Sequence, residues 1–187
     1  GLEWAATVPG TVGGAVYGNA GAHGSDIQAN LEMAEILHPI SGKGKWTCGQ
    51  LEYAYRSSVL KRTQSQAVIL TALFRLTQST KEEVMARMDK FNARRRATQP
   101  PGASMGSMFK NPAGDFAGRL IEAAGLKGQR IGGAEISSIH ANFMVNHENA
   151  TASDVYRLIR LAQQKVKEQS GIKLELEIEL LGEWDEI

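Results

Sequence analysis

The spacing of apolar residues along the chain predicts a mixture of strands and helices. Two apolar runs, at residues 31–38 and 67–76, are typical of β-strands. The second run is β-branched and apolar on both faces, so we expect it to be buried within a sheet. A shorter run at 141–146 and a cleanly alternating run at 174–180 predict two further strands, the last with its glutamates on one face.

Three segments have the spacing of helices. An amphipathic helix is predicted over 81–96, after a Thr-Lys-Glu-Glu sequence with capping-box spacing. Asp115 as N-cap predicts a short helix over 116–124. A Thr-Ala-Ser-Asp sequence opens the third helix at Thr151, and Gly171 ends it. The apolar stripe of this third helix consists of Val155, Leu158, Ile159, Ala162 and Val166.

Two segments rich in turn-forming residues interrupt these elements. Residues 8–24 are dense in glycine, which favours a tight loop with a short apolar turn, one turn of helix, around Gly14 to Tyr17. Residues 99–115 are rich in Pro, Gly and Ser, and we place a domain boundary at their start. Because strands and helices do not alternate strictly, the fold class is α+β in two lobes, with domains over 1–97 and 98–183.

Composition and charge exclude several classes of protein. The chain has 187 residues, with 21 Lys and Arg against 20 Asp and Glu, a balance that argues against a nucleic-acid binder or a polybasic membrane-surface protein. The single cysteine, Cys48, excludes an intrachain disulfide and favours a cytoplasmic location. No apolar run approaches the roughly 20 residues of a membrane helix. The histidines lack metal-ligand spacing, so we expect no metal site.

The glycine-rich loop is the first segment that suggests chemistry. Glycines allow backbone N–H groups to converge on an anion such as a pyrophosphate, and a helical turn adds its positive dipole end. The loop lacks the spacing of a dinucleotide-binding or P-loop fingerprint, so a structural cluster of turns remains the alternative. Arg56, which lies among tyrosines and serines, also has two interpretations, an anion clamp or a structural pairing.

The Pro/Gly/Ser-rich segment brings hydroxyls, an amide and an ammonium group together. Ser104, Ser107, Lys110 and Asn111 indicate either a polar-ligand site or a loop of caps and turns. A serine hydrolase is disfavoured, because the segment has no Gly-x-Ser-x-Gly sequence. The glutamates of the terminal strand are typical of a solvated face, whereas a buried one would be a candidate acid.

These segments together resemble one family, the UDP-N-acetylenolpyruvoylglucosamine reductases, also called UDP-N-acetylmuramate dehydrogenases. The matching runs follow the family's order over nearly the whole chain: VPGTVGGAVYGNAGAHG, YAYRSS, GSMFKNP, AGRLIEAAGLKG, RIGGAEIS, HANFMVN, ATASDV and LELEIELLG. The short span between YRSS and GSMFKNP resembles the compact type II form. The family's G-x-G-S-N flavin segment is absent, and the chain opens without an initiator methionine, so we expect an N-terminal truncation and weak or no FAD binding by this chain alone.

The resemblance implies an enzyme of peptidoglycan precursor synthesis. Its reaction would be the FAD-dependent, NADPH-driven reduction of UDP-N-acetylglucosamine enolpyruvate to UDP-N-acetylmuramate. Residues 1–97 would be the second part of an FAD-binding domain of the vanillyl-alcohol-oxidase (PCMH-like) type, and 98–183 a smaller α+β substrate-binding domain. The FAD contacts implied by the resemblance are Gly10, Thr11, Gly13, Gly14, Asn19 and Gly21.

The resemblance also implies a role for individual side chains. Arg56 matches the catalytic arginine, Ser107 the proton-donating serine and Glu177 the catalytic glutamate of the family. The implied substrate contacts are made by Lys110 and Asn111, with Asn142 at the nucleotide end of the substrate, in a monomer without nucleic-acid or membrane partners.

Two other functions are consistent with parts of the sequence. A non-catalytic module could bind a UDP-sugar with residues 98–183 alone, but it would not require Arg56, Ser107 and Glu177 together. Another flavoprotein of the same cradle type, such as an alcohol or hydroxy-acid oxidase, is disfavoured by the GSMFKNP and LELEI segments.

Overall fold

The computed structural model describes residues 1–184. Helices and antiparallel strands are mixed along the chain, which confirms the predicted α+β class. The chain forms two compact units, the first over Gly1–Arg94 and the second beginning at Arg95, and each has a hydrophobic core of its own. Within residues 1–184, no helix is long and apolar enough to cross a membrane.

The first unit is built on a three-stranded antiparallel sheet. After a 3₁₀ turn at Glu3–Ala5, its helices are α1 (Val12–Gly18), α2 (Cys48–Leu51), α3 (Val59–Arg62) and the greater part of α4 (Lys81–Thr98), which continues past Arg94. Its strands are β1 (Gly21–Ala22), β2 (Ser25–Asp26), β3 (Leu31–His38), β4 (Gly42–Thr47) and β5 (Val68–Phe74). Strands β1 and β2 form a hairpin, and the sheet has the order β4–β3–β5. The core consists of Trp4, Val16, Ile27, Leu31, Ala34, Ile36, Leu51 and Leu60.

The strand predicted at 31–38 is confirmed as β3, and the next predicted strand is present as β5. The expectation that β5 is buried on both faces is wrong. Val68 and Leu73 are 53% and 48% exposed. The reason is that this strand packs on the core through one face only, with Ile69, Ala72 and Phe74.

The glycine-rich segment contains more regular structure than predicted. It forms the seven-residue helix α1, which the Thr11 hydroxyl caps by accepting the Gly14 N–H at 3.0 Å. Val16 lies in the core, and the Tyr17 hydroxyl donates to the Leu60 carbonyl at 3.2 Å. These tertiary contacts offset the backbone entropy that the glycines lose in a helix.

Helix α4 confirms the helix predicted at 81–96 and continues to Thr98, but its expected apolar face is weak, since none of its residues is fully buried. Val84, Met88 and Phe91 are its half-buried stripe. The capping box is only half formed, since the Glu83 N–H donates to Thr80 Oγ1 at 3.2 Å while the Glu83 carboxylate accepts from the Ser79 hydroxyl.

The second unit packs two helices on a four-stranded antiparallel sheet. Its strands are β6 (Ala103–Ser107), β7 (Arg130–Ile131), β8 (Ala134–Ile136) and β9 (Phe143–Asn146), in the order β6–β9–β8–β7. Its helices are α5 (Ala117–Ala123) and α6 (Ala152–Ser170). Helix α6 begins with a capping box between Thr151 and Asp154 and ends at Gly171, as predicted. The predicted stripe residues Leu158, Ile159, Ala162 and Val166 are buried, and Val155 is partly buried.

Two local predictions in the second unit are wrong. The run at 174–180 is not a regular strand, because only Leu176 forms a bridge, to Phe109, and the Met108 N–H that could extend the ladder donates to Asn142 instead. The N-cap of α5 is Phe116 rather than Asp115. The Asp115 carboxylate accepts the Phe116 N–H at 2.7 Å and pairs with Arg119, one turn into the helix.

Candidate functional site

The glycine-rich loop of the first unit is held by a buried asparagine at the end of α1. Asn19 has a left-handed φ of 50° and is 1% exposed. Its amide nitrogen donates to Asp26 Oδ2 and to the Ala54 carbonyl, each at 3.1 Å, and its Oδ1 accepts the Gln28 N–H at 3.0 Å. The Asn19 side chain therefore ties the loop to two other segments of the unit.

Arg56 lies directly against this loop. Its guanidinium donates to the Gly21 carbonyl at 2.6 Å and stacks on the Tyr55 ring, whose centroid is 5.0 Å away. The backbone of Arg56 is left-handed, with φ of 52°. The sequence-predicted arginine and the sequence-predicted loop, 35 residues apart at this contact, are thus neighbours in the first unit.

The segment around Arg56 also grips helix α1. The Tyr53 hydroxyl donates to the Val16 carbonyl at 2.7 Å, and the buried Ser58 hydroxyl donates to the Tyr17 carbonyl at 2.6 Å. Burial raises the pKa of the Tyr53 hydroxyl well above its usual value, so this donor keeps its proton. Both residues lie in the YAYRSS segment, but the sequence alone did not single them out, since nothing in it shows that they reach α1.

The loop offers donors that fit a diphosphate. An α-helix leaves its first N–H groups without partners inside the helix. Thr11 takes the Gly14 N–H, so the N–H groups of Val12 and Gly13 are the ones available to an anion. Gly10 has φ of +130°, and a Cβ there would meet nothing within 4 Å, so the surface before α1 is open. Open glycine backbone beside helical N–H donors is the chemistry that a pyrophosphate requires.

Gly21 has a different place from the other predicted loop contacts. A Cβ at Gly21 would lie 2.6 Å from the Ser25 carbonyl oxygen and 3.1 Å from the Arg56 guanidinium. The residue is therefore required for the close approach of the β1–β2 hairpin and Arg56, whatever else it touches.

In the second unit, three distant segments meet at residues 107–110. The Met108 N–H donates to the Asn142 carbonyl and the Met108 carbonyl accepts the Glu177 N–H, both at 2.8 Å. The Lys110 N–H donates to the Glu175 carbonyl at 2.9 Å, and the Lys110 ammonium lies 3.5 Å from the Glu175 carboxylate. The segment that carries Ser107 is thus hydrogen-bonded on one side to Asn142 and on the other to the segment that carries Glu177.

Ser107 is the last residue of β6 and is half-buried. It pairs with Phe143 after a register shift in the β6–β9 ladder, and Gly106, with φ of +80°, precedes it. Glu177 is also half-buried, whereas the Glu175 side chain is 73% exposed. Of these two glutamates, Glu177 therefore fits the role of a buried acid better than Glu175 does.

The two predicted asparagines form hydrogen bonds within the protein. Asn142 is 3% exposed; its amide nitrogen donates to the Phe109 carbonyl at 2.8 Å and its Oδ1 accepts the Phe109 N–H at 3.0 Å. Asn111 is exposed, and its Oδ1 accepts the Ala117 N–H at 3.1 Å at the start of α5. Asn111 thus supplies the cap that the sequence assigned to Asp115.

His140 supports Asn142 from within the same turn. Its Nδ1 accepts the Asn142 N–H at 3.2 Å, and its ring packs edge-on against Phe143. Burial lowers the pKa of His140 below its usual value of 6.5, which keeps the imidazole neutral and Nδ1 able to accept. A Cβ at Gly118 would lie 3.0 Å from this ring, so α5 approaches it closely.

A cavity of about 410 Å³ lies in the second unit, and Ser104 and Glu179 of the sequence-predicted segments are among its lining residues. Met105, Val155, Tyr156 and Trp184 are among its mainly apolar lining residues. Sequence reasoning had singled out none of these four as functional. Among residues 1–184, no group of three His, Cys, Asp or Glu side chains could hold a metal ion.

Comparison with known proteins places this geometry in a class. Residues 98–181 match the domain family described as UDP-N-acetylenolpyruvoylglucosamine reductase, C-terminal domain. A solved structure, the UDP-N-acetylenolpyruvylglucosamine reductase of Thermus caldophilus, superposes with a TM-score of 0.82 and 38% identity, covering 96% of this chain and 63% of that chain. The fold is therefore that of a solved reductase.

The curated relatives carry the same name. The UDP-N-acetylenolpyruvoylglucosamine reductase of Chloroflexus aggregans is 49% identical over 97% of this chain and 62% of its own length. A protein of that name from Bacillus licheniformis is 45% identical over 97% of this chain and 99% of its own length. The chain belongs to the UDP-N-acetylenolpyruvoylglucosamine reductase family, and it spans about 60% of the length of most of the curated relatives it matches.

Proposed function

We propose that the chain contributes to the FAD-dependent, NADPH-driven reduction of UDP-N-acetylglucosamine enolpyruvate to UDP-N-acetylmuramate. The observation that carries this proposal is the convergence, in the second unit, of the segments bearing Ser107, Asn142 and Glu177. The family name of the relatives supports the same substrate and reaction.

In this proposal, residues 1–97 are the second part of an FAD-binding domain. Gly10, Thr11 and Gly13 would hold the pyrophosphate of FAD through the open backbone before and within α1. Gly14, whose N–H donates to Thr11 Oγ1, would act through the cap that this hydrogen bond forms. Asn19 and Gly21 would act on the cofactor by fixing the shape of the loop, since the Asn19 side chain is buried and hydrogen-bonded. Once reduced by NADPH, bound FAD would supply the hydride that the enolpyruvyl double bond receives.

Arg56 is the proposed catalytic arginine. Its contact with the Gly21 carbonyl and its stacking on Tyr55 fix the position of a permanent positive charge beside the cofactor loop. Such a preorganised cation stabilises negative charge that develops on the enolpyruvyl group as the double bond is reduced.

Ser107 is the proposed proton donor to the α-carbon of the enolpyruvyl group. A serine hydroxyl is a weak acid in water, so this role requires a fixed position and a polarised environment. The hydrogen bonds of the next residue, Met108, to Asn142 and Glu177 provide the fixed position. Glu177 would hydrogen-bond the enolpyruvyl carboxyl group, on which negative charge builds as the double bond is reduced.

The substrate would be held within residues 98–183 in this proposal. The Lys110 ammonium, 27% exposed, can pair with an anionic substrate group in exchange for the exposed Glu175. Asn111 is exposed and could present its amide nitrogen to the substrate while its oxygen caps α5. Direct contact between Asn142 and the nucleotide end stays a prediction, because both ends of its amide are bonded to Phe109.

Replacing Ser107 by Ala separates a reductase from a UDP-sugar-binding module. The rate of reoxidation of NADPH-reduced flavin by the enolpyruvate substrate should fall by about 10²–10⁴-fold, the usual effect of removing a general acid. The dissociation constant for UDP-N-acetylglucosamine, measured by calorimetry, should change by no more than about threefold, which is less than about 1 kcal/mol of binding free energy. The matched control is Ser153→Ala, an exposed serine on α6.

Because most of the curated relatives are longer, the chain is assayed both alone and joined to the part of the Chloroflexus aggregans relative that lies outside the match. Equal losses of binding and reoxidation in the Ser107→Ala variant would favour the binding module. An unchanged reoxidation rate would remove Ser107 from the proposed chemistry.

A further inference from the structure

We propose that Asn142 is a positioning residue for the segment that carries Ser107. The inference rests on the proposed function, because it concerns the serine that would donate the proton. Asn142 would act through the backbone of Phe109, by holding the Ser107–Lys110 segment in place, rather than by contact with the substrate.

The Asn142 side chain hydrogen-bonds to the backbone of Phe109 as a neighbouring strand would. The Asn142 amide nitrogen donates to the Phe109 carbonyl at 2.8 Å, and its Oδ1 accepts the Phe109 N–H at 3.0 Å. The two residues are 3% and 1% exposed. Buried backbone groups require partners, and here one planar amide satisfies both groups of Phe109.

A side chain is needed at this point because the strand ladder is irregular. The β6–β9 register shifts between Ser104 and Ser107, and Gly106 has φ of +80°. The shift turns the chain out of the regular ladder just before the proposed proton donor. The Asn142 amide then satisfies the backbone of Phe109, two residues beyond Ser107.

Asn142 is itself fixed by the turn that precedes it. Its N–H donates to His140 Nδ1 at 3.2 Å, and the His140 N–H donates to the buried Ser137 hydroxyl at 3.2 Å. The Phe143 N–H donates to the His140 carbonyl at 2.9 Å. These hydrogen bonds hold the 137–143 turn together, and the turn sets the position of the Asn142 amide.

The chemistry of the contact restricts which residue can occupy position 142. The side chain must present one donor and one acceptor in a single plane at the length of asparagine. Aspartate keeps the acceptor for the Phe109 N–H but opposes the Phe109 carbonyl with a second acceptor. Glutamine has both groups, yet its additional methylene would overpack position 142, where the asparagine is only 3% exposed.

The test compares Asn142→Asp with the unaltered protein by amide hydrogen exchange, which reads the contact without catalysis. The added carboxylate oxygen repels the Phe109 carbonyl and opens the contact as a whole, so exchange at Phe109 should become at least about tenfold faster although an acceptor for its N–H remains. Exchange at Leu158 and Ile159, in the core of the second unit, reports whether the fold is intact. If the Asp variant does not fold, Asn142→Ser, which is shorter and uncharged, replaces it.

Steady-state kinetics and calorimetry then distinguish positioning from substrate contact. We expect kcat to fall by about tenfold or more, with KM for the enolpyruvate substrate and the affinity for UDP-N-acetylglucosamine nearly unchanged. In a Ser107→Ala background the same change should have little further effect, because residues acting as one unit are not additive. The matched control is Asn146→Asp. Asn146 is exposed, and its Oδ1 accepts the Ala150 N–H.

Two results would overturn the inference. One is a loss of UDP-N-acetylglucosamine affinity in Asn142→Asp with kcat unchanged, which would mean direct contact with the substrate. The other is unchanged exchange at Phe109. Failure of the proposed function is recognised separately, since the unaltered protein would then not turn over, whatever the exchange at Phe109 shows.

Discussion

Replacing Gly21 by alanine should disrupt the first unit at the point where the loop meets Arg56. The added Cβ would lie 2.6 Å from the Ser25 carbonyl oxygen and 2.7 Å from the Asp26 Cβ. Neither neighbour is the end of a flexible side chain, so the β1–β2 hairpin must move. Its movement also shifts the Gly21 carbonyl away from the Arg56 guanidinium, now 2.6 Å from it.

The magnitude follows from these two effects. Overpacking of this kind costs about 1–3 kcal/mol. The charge-assisted hydrogen bond from half-buried Arg56 contributes about 1 kcal/mol more, below the value for a fully buried one. The expected loss in the free energy of unfolding is therefore about 2–4 kcal/mol, which corresponds to a roughly 30- to 1000-fold larger opening constant.

Residue-resolved hydrogen exchange measures this loss in one sample. The amides of Ala34 and Ile36 in β3 report opening of the first unit, and those of Leu158 and Ile159 in α6 give an internal reference from the second. The control is Gly18→Ala, where the new Cβ meets nothing within 4 Å. That substitution should leave stability unchanged or raise it by about 0.5–1 kcal/mol. Equal exchange in the two variants would refute the reasoning.

Two further predictions concern the second unit. Thr151→Ala removes half of the capping box of α6, where the Asp154 N–H donates to Thr151 Oγ1 at 3.1 Å, and should lower the free energy of unfolding by about 1 kcal/mol, with recovery in Thr151→Ser. Because burial lowers the pKa of His140 while the unfolded chain binds its proton near pH 6.5, the free energy of unfolding should decrease as pH falls below about 6.5. Urea titrations at pH 7.5 and 5.5 test this, and His140→Gln should have a smaller difference between them.

Local signals were sufficient to predict several elements. Thr151 and Gly171 mark the ends of α6, and its stripe is in the core, because caps and helical periodicity depend on residues close in sequence. Strand β3 was predicted for the same reason. The burial of β5 was not, since whether one or both faces of a strand are covered depends on tertiary packing, which no local pattern contains.

The candidate site divides in the same way. Arg56, Ser107 and Glu177 were found through the motifs that carry them, whereas their contacts join residues far apart in sequence. Arg56, whose guanidinium donates to the Gly21 carbonyl, has a left-handed backbone, which the sequence does not reveal at a non-glycine residue. The role of Asn142 depends on a register shift in another strand, so its amide could be taken for a substrate contact.

The most direct test of the proposed function is product formation in a single turnover. Two samples are compared: the protein alone, and the protein joined to the part of the Chloroflexus aggregans relative that lies outside the match. Each is saturated with FAD, reduced with NADPH in the absence of oxygen, and then mixed with UDP-N-acetylglucosamine enolpyruvate. We expect flavin reoxidation with one UDP-N-acetylmuramate formed for each flavin reoxidised. Binding of both FAD and the UDP-sugar without reoxidation or product would contradict the proposed reductase activity.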